Sequence, residues 1–160
     1  MPQLRALYIA LKTMPLRAAA LSVFGVLLLL TATSAYVAPH DRYFVGNFAW
    51  YWLPVVVVVL IGVALGVVPS ISAGGGIALA LFLAAFHSWV ASLGRGADMA
   101  WLGYLFAMPG AATGLLVAGW LAKRESSGAL ASLFIALAAT AAGLALNVGV
   151  LCNTVMYCHG

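Results

Sequence analysis

Polar and apolar positions along this chain separate into blocks. Five windows, roughly residues 18–38, 48–68, 73–93, 100–121 and 129–151, contain no Asp, Glu, Lys or Arg. Each is long enough to cross a hydrocarbon layer of about 30 Å at about 1.5 Å per residue. The seven basic and three acidic residues all fall in the gaps. Backbone groups in lipid must be satisfied within their own segment, so every window is expected to be helical. This includes Val55–Val59, a run that would favour a strand in water. The expected fold is an all-α integral membrane protein: one domain over residues 1–160, a compact bundle of five transmembrane helices.

The first window also has the layout of a secretory signal peptide. Arg5, Lys12 and Arg17 precede Leu21–Leu30, and small residues follow at Thr31–Ala35. The apolar run continues through Tyr36, Val37 and Ala38, beyond the usual signal core, so a retained first helix is expected. Upstream, Leu4, Leu7, Tyr8 and Leu11 recur at i, i+3, i+4 and i+7, with Arg5 and Lys12 off that stripe. Residues 1–13 therefore read as a short interfacial helix on an anionic leaflet.

Composition narrows the class. With 66% hydrophobic and 6% charged residues, the chain lacks the ionic groups needed to coat a soluble particle. The net charge of +4 reflects sidedness, not nucleic-acid binding, because no basic patch exists beyond Lys123–Arg124. Basic residues near span ends set orientation. Arg5, Lys12, Arg17, Lys123 and Arg124 gather on one side, against Arg42 and Arg95 on the other. The expectation is an inner (plasma) membrane protein, multi-pass, with its N-terminus cytoplasmic and its C-terminus periplasmic or extracellular. The aromatic residues Tyr43, Trp50, Tyr51, Trp52, Trp89, Trp101, Tyr104 and Tyr157 then gather toward the outer boundary.

Between helices in lipid, close packing and hydrogen bonds replace the hydrophobic drive. Small residues at four-residue spacing mark the packing faces: Gly62 and Gly66; Gly110, Gly114 and Ala118; Ala139 with Gly143; Ala145 with Gly149. Pro54 is expected in the first turn of its span, where its missing N–H costs little. Pro109 falls mid-span, where a kink is expected. Pro69–Gly76 reads as a turn between the second and third spans. Its glycine triplet is no phosphate loop, having neither a preceding strand nor a following Lys.

Few side chains offer chemistry. His87 is the one ionisable group inside a span and so a candidate site by default. Asn147, Tyr104 and Tyr51 lie at comparable depth, and the four are expected to converge either as a polar pocket or gate, or as hydrogen bonds fastening helices. No span carries a carboxylate for a proton relay, and neither a nucleophile–base pair nor a metal-ligand spacing is visible. No enzyme activity and no cofactor are expected. Cys152 and Cys158, the two cysteines, fall on the expected outer side, where a disulfide between them requires the helix to end first. Two functions fit. One is helix–helix docking with another membrane protein, as a complex subunit, assembly factor or immunity protein. The other is a small homo-oligomeric channel or carrier with a pathway near His87. In either case the lipid bilayer is a partner.

Overall fold

The structure, a computed structural model, describes residues 16–93, 100–125 and 128–154. They form five helices: α1 (Leu16–Val37), α2 (Phe44–Ala64), α3 (Pro69–Leu93), α4 (Ala100–Glu125) and α5 (Ala129–Thr154). No strand occurs among the described residues, and all five helices are long and apolar enough to cross a membrane. The expected interfacial helix at 1–13 lies outside the described residues.

Two boundaries differ from expectation, each for a local reason. α2 begins at Phe44 rather than near residue 48. Asp41 starts it, accepting the Tyr43 N–H on its side chain (2.8 Å) and the Phe44 N–H on its carbonyl (3.0 Å). Pro54 is therefore the eleventh residue of the helix and not in its first turn. At the other end Gly66, with φ of 72°, closes α2. The Gly66 N–H bonds to the Val63 carbonyl and the Val67 N–H to that of Gly62, the paired bonds of a Schellman cap. A Cβ on Gly66 would meet open space, so this residue forms the cap and not a helix contact.

With the turn made by 65–68, Pro69–Gly76 forms the first two turns of α3 instead of the expected loop. Proline suits that opening position. The glycine triplet is used for packing, each member facing a different neighbour because successive helical positions diverge by about 100°. A Cβ on Gly74 would strike the Leu133 carbonyl and Ala136 of α5. One on Gly75 would strike Leu115 of α4 and crowd Thr140 of α5, and one on Gly76 would strike Val26 of α1. α3 packs against all four other helices and is the centre of the bundle.

Register follows from paired residues. Tyr51 meets Tyr104 and Gly62 faces Leu115, a constant offset, so α2 and α4 run parallel. Phe106 with Asn147, Gly110 with Gly143, and Gly114 with Ala139 and Thr140 keep a nearly constant sum, so α4 and α5 run antiparallel. The end holding the α2–α3 turn is called the near end below, and that holding the α1–α2 connection the far end.

Candidate functional site

The candidate residues lie at one depth, in the far half of the bundle. Tyr104 is the largest fully buried side chain among the described residues. Its ring packs on Phe82 and Phe86 of α3 and edge-on to Tyr51 of α2, with centroids 6.0–6.3 Å apart. Trp89 extends the cluster through Phe86. The rings bury a large apolar area, and the edge-on pair adds its own geometric preference.

The hydrogen bonds at this level follow one rule. The Tyr104 hydroxyl donates to the Tyr51 carbonyl at 2.6 Å, and Asn147 Nδ2 of α5 donates to the Phe106 carbonyl of α4. Each acceptor stands three residues before a proline inside a helix, Tyr51 before Pro54 and Phe106 before Pro109. A proline has no N–H for the carbonyl four residues before it, here Trp50 and Leu105, and its ring crowds the turn in which Tyr51 and Phe106 also lie. With no water in lipid to compete, each of these two turns also receives a donor from a neighbouring helix. Tyr104 and Asn147 are those donors. A third bond joins the remaining neighbour: the Trp52 indole N–H of α2 donates to Thr31 of α1 (2.9 Å), whose hydroxyl donates to the Leu27 carbonyl (2.7 Å). Donors thus link α5 to α4, α4 to α2, and α2 to α1.

Three of the four expected residues, Tyr51, Tyr104 and Asn147, therefore sit in this belt, Tyr51 through its ring and its backbone carbonyl. The fourth, His87, is half-buried at the same depth, about 100° round α3 from Phe86, the residue that faces Tyr104. Phe82, Phe86, Thr31 and the two proline-adjacent carbonyls were missed from sequence. The available signal was the pair of prolines, had Pro54 been placed mid-helix.

The small-residue faces divide between inside and outside. Gly110, Gly114 and Gly143 lie where α4 and α5 touch backbone to backbone, and a Cβ on any of them would strike a carbonyl of the other helix. Ala118 is fully buried on the same face, and Gly62 is filled by Leu115. Gly149 is different: a Cβ there meets open space, and with Ala145, Leu146, Val150, Asn153 and Thr154 it lines a shallow recess on the outside of α5. The hydroxyls of Ser34, Ser72 and Thr140 are buried without a hydrogen-bond partner. No group of three or more His, Cys, Asp or Glu is placed to hold a metal among the described residues. Cys152 is in the last turn of α5 and is not a free thiol, while Cys158 lies outside the described residues.

Comparison with protein-family models, with curated proteins and with solved structures finds no match.

Proposed function

We propose that this is a non-catalytic inner-membrane protein that works by docking its helices against another membrane protein, as a complex subunit, assembly factor or immunity protein. In this reading the N-terminus is cytoplasmic, the C-terminus lies across the membrane, and a Cys152–Cys158 bridge staples the end of α5. The observation that carries it is the belt of donors. Tyr104, Asn147 and Trp52 are spent on holding this chain's own helices together. The described spans offer no carboxylate for coupled transport and no constellation for catalysis.

The test is purification of the tagged protein in mild detergent. A stoichiometric membrane protein is expected to accompany it, and His87→Ala is expected to leave that association intact. Gly149→Leu is the companion variant: a Cβ there meets open space, so the variant is expected to fold and to weaken the association if this face of α5 is the docking surface. Solute flux in vesicles of the protein alone, abolished by His87→Ala, would replace docking with the homo-oligomeric carrier.

A further inference from the structure

At the near end the last turn of α4 carries Lys123 and Arg124, both exposed, and the Arg124 guanidinium lies 5.4 Å over the ring of exposed Trp120. At the far end Arg42 lies 4.8 Å over Tyr43. The depth between these pairs follows from register. Tyr51 and Tyr104 share a level, with rings 6.2 Å apart. From Tyr43 to Tyr51 is about 12 Å along α2, and from Tyr104 to Trp120 about 24 Å along α4, at 1.5 Å per residue. The two pairs are thus about 36 Å apart, just beyond a hydrocarbon core of about 30 Å and inside a full bilayer of about 40–45 Å. Both stand at headgroup depth.

The two ends differ in chemistry. Arg42 follows Asp41, whose carboxylate is turned to the Tyr43 N–H, so that corner is balanced. Lys123 and Arg124 are adjacent cations on one turn. Against them stand the helix C-terminus, worth about half a negative charge, and the neighbouring Glu125. Together these leave a small positive excess, so geometry must supply the selectivity. A guanidinium resting on an indole keeps its N–H fork free for the paired oxygens of a phosphate, and Lys123 adds a point charge. The apolar body of Trp120 suits the upper acyl chain.

We propose that Trp120, Lys123 and Arg124 hold the phosphate headgroup of an anionic phospholipid. This site is independent of the docking reading. Its test is lipid retention, measured by native mass spectrometry on the full chain released from vesicles of equal phosphatidylglycerol and phosphatidylcholine. Wild type is expected to retain the anionic lipid preferentially. Arg124→Gln and Lys123→Gln should each reduce that preference about fivefold, from about 1 kcal/mol per basic residue at the surface. Arg42→Gln, which removes the same charge at the far end, should change it little, and Glu125→Gln should raise it. Equal retention of both lipids by wild type, or an unchanged preference in the Lys123→Gln/Arg124→Gln double variant, would overturn the proposal. Loss of the preference on adding millimolar inorganic phosphate would reassign the site to the free anion and overturn it as well.

Discussion

At the scale of single residues, a proline inside a helix, a carbonyl of the turn before it and a donor from another helix lie together. Interhelical hydrogen bonds in membrane proteins average about 0.6 kcal/mol and reach about 1.7. Tyr104→Phe removes the hydroxyl but keeps the buried ring, so a loss near the upper end of that range is expected, since the Tyr51 carbonyl is left with one donor fewer. Unfolding in mixed micelles would measure it. Thr140→Val is expected to go the other way. Thr140 is fully buried with its hydroxyl unpartnered, and valine keeps the shape while removing the unmet polar group, so stability should hold or rise. A loss above about 1 kcal/mol would show that the hydroxyl is bonded in the folded protein. The depth shared by Tyr51, Tyr104, Asn147 and His87 could be read from their spacing within spans. Their partners could not, because two of the acceptors are backbone carbonyls, which no residue type announces. An expected first-turn position for Pro54, where a missing N–H costs little, gives no reason to look for a donor beside it.

At the scale of helices, the division of labour among glycines decides what each substitution does. Gly114→Leu drives a side chain into the Ala139 carbonyl and the Thr140 backbone, with no flexible neighbour to yield. It should separate α4 from α5 and abolish the folded state, whereas Gly149→Leu should unfold like wild type. Overpacking of even one or two carbons typically costs 1–3 kcal/mol, and here the obstacle is main chain. Glycine spacing identified the contacting faces of α4 and α5 but could not separate an inward stripe from an outward one, since Ala145 and Gly149 show the same four-residue interval. Gly66 misled for a different reason: it shares Gly62's spacing, yet its positive φ belongs to a cap. The Gly74–Gly76 run read as a turn because flexible residues in water mark turns. In a packed bundle their lack of a side chain lets three neighbours close on one helix.

At the scale of the molecule, five consecutive helices put the start of α1 at the near end and the end of α5 at the far end, and the proposed orientation carries these ends to opposite faces. The expected result of protease or impermeant-reagent access to tags in sealed inverted vesicles is an N-terminal tag exposed and a C-terminal tag protected. In the same preparation, a thiol-reactive mass tag should label neither cysteine before reduction and both after it. Labelling of both cysteines without reduction would exclude the bridge. The number of helices was legible because the ten charged residues avoid every span. Which helices touch was not, because lipid-facing and helix-facing surfaces are both apolar, and only the small residues and polar donors differ between them.

The two proline-adjacent carbonyls also bear on how the chain is assembled. Synthesis proceeds from α1 to α5, so the Tyr51 peptide group waits for α4 to deliver Tyr104, and the Phe106 group waits for α5 to deliver Asn147. A nascent chain with four helices made therefore lacks the Asn147 amide that joins the turn before Pro109 to its neighbour. Arrival of α5 adds that link, so the fastening of helix to helix follows the order of synthesis.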